Sequence, residues 1–425
     1  MKRVFVCATL GAILHLLTGA ALAQADPDMD ALQLADQIAT PAAAASNWLM
    51  FGELSAGGAV LRDTDSFQPN QRASFDLRYD NTFAPGWRAV FSDRLDYDNP
   101  AQMPFDSTIN TIRESYLSWQ PGSDLLFDLG RINERNGVAL GYNPTDYFKT
   151  NAVRSVVSVD PNSLKENRQG SVMLKAQQLS DSGSATLLFS PKLGTTTSYA
   201  GFNPDLAATN NVKRWLLSVS PKLSEDFNPK LLVYKADQSP VQFGLNLTSL
   251  ISDAAVVYLE WSGGRSLSQL SLAQQLLKLP YENDTAFRNR LASGLTYTTE
   301  NKISLTAEYE YNGAGLDQQH WQSIATSPFY GLYRYWLQSI QESPTKRSAF
   351  LYGSWQDALI NHLDLAAMEK NNLNDHSRLS WLEARYHLSH SEFALQWQLD
   401  SGSRSSEFGA AGQTQTWALV GRFYF

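Results

Sequence analysis

Cysteine is almost missing from this chain of 425 residues: there is one, Cys7. A disulfide-stapled fold, a cysteine-bearing zinc site and a haem attached through Cys-x-x-Cys-His are thereby excluded. Charge is scarce as well, at 18% of residues, and the 34 basic against 42 acidic side chains leave a net charge of −8. A general nucleic-acid binder would carry a basic stripe instead, so no nucleic-acid partner is expected. Past the first 25 residues no apolar run reaches 18 residues, and mean hydropathy is −0.30. That excludes a membrane protein built from spanning helices. The chain also lacks an HExxH pair, a Gly-x-Ser-x-Gly elbow and a phosphate-binding loop. His387 and His390 fall at a turn, and His362 with Asp364 is an i, i+2 pair of a kind that arises by chance along a strand. The chain is therefore read as a non-enzyme, with no cofactor and no metal.

Aromatic residues, by contrast, are plentiful: 11 Trp, 18 Tyr and 20 Phe, or 12% of the chain. Many rings, few charges and no spanning helix leave a large soluble β protein or a transmembrane β-barrel. The first segment separates them. Lys2 and Arg3 precede an apolar stretch from Val4 to Leu17, followed by the small-residue sites Ala21-Leu22-Ala23 and Ala23-Gln24-Ala25. Residues 1–25 read as a secretory signal peptide. Residues 26–47, acidic and then alanine-rich, read as a periplasmic lead-in that could hold a periplasmic partner. Residues 48–425 then form the barrel.

From Trp48 the period of the sequence is two. Ala73, Phe75, Leu77 and Tyr79 alternate with Ser74, Asp76, Arg78 and Asp80, and Leu305, Ala307, Tyr309 and Tyr311 with Ser304, Thr306, Glu308 and Glu310. Each such stretch is a strand with one apolar and one polar face, about ten residues long, enough to cross a bilayer at a tilt. Eighteen are counted between 48–61 and 415–425, the faintest being 167–178 and 184–190. Every second connection is a tight turn, such as Pro121-Gly122-Ser123 or Ser389 to Ser391, while the others extend as far as Asn133 to Glu166 and Gly313 to Thr345. Short periplasmic turns alternating with long outer loops are the asymmetry of an outer-membrane barrel. The last segment alternates Trp417, Leu419, Gly421, Phe423 and Phe425. It resembles the C-terminal signature by which bacterial outer-membrane proteins are read by their barrel-assembly machinery. The expected fold class is an all-β transmembrane antiparallel barrel of about 18 strands, with helical segments in its outer loops, in the bacterial outer membrane and in contact with its lipid.

The face opposite the aromatics supplies the pore-lining candidates: Arg78, Arg88, Arg94, Asp96, Asp128, Arg288, Arg290, Glu308, Glu310 and Arg422, with Asp76, Lys175, Arg214, Lys302, Asp364 and Asp400 of the same parity. Charges are costly on the lipid face, which places them inside. The mixed signs fit either a conduit or a set of cross-strand ion pairs that fill the interior. One stretch is more specific. A strand ending in Gly130-Arg131 is followed by a glycine-containing loop with the turn Asn143-Pro144-Thr145-Asp146. Here the chain resembles eighteen-stranded outer-membrane channel barrels of the alginate-export-like and porin-like families. That resemblance implies a third outer loop folded inward to narrow the pore, with Arg131, Arg135, Asp146 and Lys149 as constriction candidates. The surface-turn alternative stays open.

Two outer loops carry helical spacing. Leu267, Leu270, Ala273, Leu276 and Leu277 form one stripe, ended by Pro280. Phe329, Leu332, Tyr333, Trp336, Leu337 and Ile340 form the other, begun by Ser327-Pro328. The second is expected to form a lid packed on the first, the alternative being a helix lying on lipid headgroups. The leading reading is an outer-membrane channel for a small polar solute, anionic or saccharide-like. The alternative is a port or scaffold barrel of an export or secretion assembly.

Overall fold

The computed structural model describes residues 46–102, 104–224 and 227–425. The expected signal peptide, and all of the lead-in but its last two residues, lie outside them. Eighteen strands follow in chain order: β1 (Trp48–Leu61), β2 (Phe67–Ala84), β3 (Trp87–Asn99), β4 (Thr108–Trp119), β5 (Leu125–Ile132), β6 (Ser171–Ser180), β7 (Gly183–Ser190), β8 (Arg214–Pro221), β9 (Phe227–Ala236), β10 (Gln242–Ser252), β11 (Ala255–Ser266), β12 (Ala286–Thr298), β13 (Ile303–Asn312), β14 (Arg347–Trp355), β15 (Leu363–Asn372), β16 (Arg378–His387), β17 (Ser391–Ser401) and β18 (Gln413–Tyr424). Among the described residues five short helices sit in the loops: α1 (Pro161–Glu166), α2 (Leu206–Thr209), α3 (Gln269–Leu276), α4 (Gln318–Ala325) and α5 (Tyr330–Ile340).

Every strand pairs antiparallel with its neighbour in sequence, and β18 returns to β1, with Phe51 opposite Tyr424 and Gly58 opposite Trp417. Closure of β18 on β1 leaves no terminal strand edge and pairs most of the backbone donors and acceptors, without which a strand could not remain in hydrocarbon. The period of two carries through. In β13 the side chains of Ser304, Thr306, Glu308 and Glu310 turn inward and are buried, while Leu305 and Tyr309 face out. Leu54, Leu129, Leu305 and Leu419 are each more than half exposed on the outer wall. Such a continuous apolar belt is stable against lipid and not against water. No helix among the described residues is long and apolar enough to cross a membrane.

The tight connections 85–86, 120–124, 181–182, the one after Pro221, 253–254, 299–302, 356–362 and 388–390 share one end of the barrel, and the long ones the other. Eighteen strands enclose more space than their own side chains fill. Here much of it is taken by the loop 133–170, which turns inward and forms three apolar clusters with the inner wall. Phe148 packs with Ile132, Met173, Leu188, Leu216 and Leu232; Val138, Ala139 and Tyr142 with Tyr258 and Ala292; and Leu140 against Phe350, Tyr352, Met368 and Trp381.

Candidate functional site: a lumen divided by one loop

The inward loop is tied to the wall by carboxylates that aim at its backbone. Glu260, on β11, accepts from the N–H groups of Val138 (2.9 Å), Ala139 (3.1 Å) and Thr145 (2.7 Å), and from the Thr145 hydroxyl (2.8 Å). Glu308, two strands on, accepts from the N–H groups of Leu140 and Gly141 and from the Tyr258 hydroxyl. A carboxylate offers about four acceptor sites, so two of them satisfy a whole turn of backbone that would otherwise be buried unpaired. The close approach depends on glycine. A Cβ on Gly137, whose φ is +112°, would stand 2.6 Å from the Glu260 carboxylate, and one on Gly141 would stand 2.5 Å from the Phe350 ring.

The sequence placed Glu308 and Glu310 on the pore lining. Both are inward but buried beneath the loop, and Glu310 is bound by Ser348 Oγ (2.5 Å) and Lys370 Nζ (3.4 Å). Glu308 thus serves the docked loop and Glu310 the neighbouring wall strands, and neither meets water. Glu260 was missed, although it lies in the same alternation, between Leu259 and Trp261.

The four constriction candidates divide. Asp146 and Lys149 lie in the inward loop, each committed to a buried pair: Asp146 with Arg168 (2.5 Å), Lys149 with Glu342 (2.9 Å). Burial works to raise the Glu342 carboxyl, but Lys149 and Arg290 outweigh it and hold the group below its usual range. Burial, with Glu342 at its hydroxyl, pushes the Tyr142 phenol well above its usual value. Arg135 is half-buried on the stretch where the loop leaves Glu134, paired with Lys175 on β6 (2.9 Å), for Glu260 on β11. Arg131 is corrected. Its parity is that of Leu129 and Phe127, the outer face, and its guanidinium serves backbone carbonyls away from the lumen.

The helical loops form a dome over the same end. Trp321 of α4 and Tyr333 and Leu337 of α5 are buried with Ala273 of α3, and Leu270, Phe329, Trp336 and Ile340 pack around them. Leu332 and Leu276 depart from the expected stripes and are exposed. The N-terminus of α5 also differs: Phe329 occupies the cap with no side-chain bond, and Ser327 Oγ accepts from the Phe329 N–H (3.2 Å). The helix α4 was not foreseen. Its N-cap, Asp317, is held down to about 2 by the backbone N–H and ring of His320. From α5, Arg334 donates to Glu407 O (3.0 Å) and Ala410 O (2.7 Å), and Gln341 donates to Lys149 O (2.6 Å). The dome thus touches the inward loop directly.

Of the remaining candidates, Arg78, Arg88, Arg94, Asp96 and Arg422 lie on the opposite wall, from β16 through β18 and β1 to β4. Glu53 is gripped by Arg72 (2.8 Å), Arg94 (2.9 Å) and Arg422 (3.0 Å), and Asp76 by Arg113 (2.6 Å) and Arg94 (3.6 Å). Arg94 also binds Asp96 (2.9 Å), and all three of Arg94, Asp76 and Asp96 are buried. Lower down, Arg385 joins Glu383 and Glu392 (2.9 Å each), and Arg88 pairs with Asp80. Side-chain exposure is uneven: Arg78 36%, Arg88 33% and Arg422 27%, against 0% for Asp76 and 4% for Glu53. Arg78, Arg88 and Arg422 reach the water, whereas Arg94 and Arg113 are buried, and Arg72 nearly so, with Glu53 and Asp76; the exposed acids are Asp80, on Arg88, and Glu166, on Arg78. Asp128, on β5, is inward and buried. Arg290 faces Glu342 (3.8 Å), and Arg288 binds the loop termini at Ser266 O, Gly313 O and Asp284. Lys302 is corrected: it lies in a turn, exposed and paired with Asp357 (2.5 Å).

No family model matches the chain, and no curated protein does. Among solved structures it is similar to OccAB1 of Acinetobacter baumannii (TM-score 0.55, 10% identity, covering 89% of this chain and 96% of that one). Two Pseudomonas aeruginosa proteins are comparable: OccK5 (OpdH), with TM-score 0.52, 10% identity and coverage of 89% and 97%, and OccK8 (OprE), with 0.52, 11%, 89% and 98%. The fold is that of an eighteen-stranded porin-type barrel. The resemblance read from the sequence holds at that level, and no alginate-export-like family is matched.

Proposed function

We propose that the chain is an outer-membrane channel that passes a small polar solute and favours anions. The observation that supports this is a row of three inward guanidiniums that reach the water, Arg78, Arg88 and Arg422, with Asp76, Glu53 and Glu392 buried behind them and, among their partners, only Asp80 and Glu166 exposed. Such a row lowers the energy of an anion along the path and repels cations, and a confined, low-dielectric lumen amplifies both effects. The planar guanidinium also suits a carboxylate or phosphate better than an ammonium would. The opposite half, filled by the inward loop, narrows the path and adds one exposed acid to it, Glu166, which is paired with Arg78. The similar Occ barrels support a channel reading at the level of fold. The test is a reversal potential in a planar bilayer across a tenfold gradient of potassium chloride. A potential of the sign set by chloride supports the reading. A cation-selective potential, or a protein that inserts and never conducts, overturns it and favours the port or scaffold.

A further inference from the structure

The barrel wall is not strand throughout. β4 and β5 share five paired rows, from Ser115–Arg131 to Trp119–Phe127. Towards the loop end, β4 continues up to Thr108 against β3 alone, because β5 has already left into the inward loop. The bare edge of β4 is met by other groups. The Asn110 N–H donates to Gly201 O (2.8 Å), and Arg113 O accepts from the Gly170 N–H (2.9 Å). Ile112 O accepts from Arg131 (3.2 Å), and Asn110 O from Arg154 (2.8 Å). The segment 199–206, from the loop between β7 and β8, reaches back across β5 and β6 to cover this split.

Two arginines hold the segment from opposite sides. Arg131 comes from the outer face of β5 and donates to Pro204 O (2.7 Å). Arg154 comes from inside, on the inward loop, and donates to Asn203 O (2.7 Å) and Ala200 O (3.0 Å). They are 4% and 3% exposed, and neither has a carboxylate in salt-bridge range among the described residues. Arg154 Nε has no partner at all. Asp205, in the segment itself, acts on both electrostatically but makes no salt bridge with either; a guanidinium hydrogen-bonded only to carbonyls gains much less than one bound to an anionic oxygen. The covering segment leaves Phe202 and Leu206 exposed, while Tyr199 meets the Tyr335 hydroxyl of α5.

We propose that the segment 199–206 is a lateral hatch: it seals the β4–β5 split, and an anionic amphiphile displaces it. The tail lies in the outer leaflet, and the carboxylate or phosphate head takes Arg131 and Arg154 from the carbonyls they now serve. This route is independent of axial passage, so a failure to conduct would leave it standing.

Hydrogen exchange read by mass spectrometry tests it, on the full chain in decyl maltoside micelles. Decanoate is expected to speed exchange at residues 108–114 and 199–206 by at least about tenfold, and inorganic phosphate to leave both slow. Equal acceleration by phosphate would overturn the amphiphile, and no acceleration by decanoate would overturn the hatch. With Arg131→Gln and Arg154→Gln together, both segments should exchange fast from the start and decanoate should add nothing. If that variant fails to insert, Gly201→Ala serves: its Cβ would stand 1.9 Å from Thr108 O, prising the segment up with both arginines in place. Slow exchange in Gly201→Ala would also overturn the proposal.

Discussion

The two halves of the barrel interior obey different rules. On β16 to β4 the inward residues are charged, and guanidiniums such as Arg78 and Arg422 meet the lumen. On β5 to β9 Asp128, Lys175, Arg214 and Lys230 also point inward, but Ile132, Met173, Leu188, Leu216 and Leu232 make an apolar patch covered by Phe148 from the inward loop. Both halves carry the same apolar belt outside. Strand pairing therefore fixes the barrel, while the loop decides which half of its inside is dry.

The strongest way to break the contrast is to free the loop. Glu260→Ala removes the acceptor for three loop N–H groups, each costing about 1–3 kcal/mol when left buried and unpaired. The loop should leave the wall: conductance and the size limit for solutes should rise, with heat-modifiability of the barrel unchanged. Conductance equal to wild type would show that the loop is held elsewhere. Phe148→Ala attacks the same docking from the dry side and should cost about 3–5 kcal/mol, seen as earlier proteolysis within 133–170 when temperature is raised. Trp336→Asp with Leu337→Asp places charges in the dome. Insertion should be normal and conductance noisier; a variant that fails to insert would make the dome part of the barrel's own folding core.

Smaller effects sharpen the wet half. Arg422→Gln leaves Glu53 with Arg72 and Arg94, so stability should barely move while the reversal potential shifts towards cations. The weakest effect is a pH dependence of the dome. Burial pushes the Glu407 carboxyl up to about 7, against Lys370 and Asn372, which act to lower it, with Asp375 and Glu310 adding to the rise. Its ordinary value is 4.5, so the docked loop 402–412 holds a proton that the free loop releases. Docking is strongest below 4.5, weakens as pH rises to about 7 and is level above that. Open probability should rise over that window, and Glu407→Gln should flatten it.

The contrast also explains what the sequence could and could not tell. Strands with a wet inner face alternate cleanly: β2, with Ser74, Asp76 and Arg78 against Phe75, Leu77 and Tyr79, was plain by eye. β7 was faint because Leu187 and Phe189 face lipid while Leu188, between them, faces Phe148. A strand dry on both sides loses its period. The inward loop was named only by resemblance, and its anchors could not be read locally. Glu260 meets Val138 from 122 positions away, and nothing near either residue marks the pair. Arg131 went wrong for a related reason: an arginine on the lipid parity is readable only once the segment covering it, 199–206, is in view. α4 escaped because Gln318, Gln319, His320 and Gln322 surround its apolar anchors, Trp321 and Ile324.

The division of the lumen is tested most directly by thiol labelling, since Cys7 is the chain's single native cysteine. Arg78→Cys and Leu188→Cys are each placed in a conducting bilayer and exposed to a charged, water-soluble methanethiosulfonate. The account predicts that Arg78→Cys reacts within seconds to minutes and changes the current, while Leu188→Cys, beneath Phe148, stays unmodified until Glu260→Ala is added. Equal reaction at both positions in the otherwise unchanged protein would contradict a lumen that is wet on one wall and dry on the other.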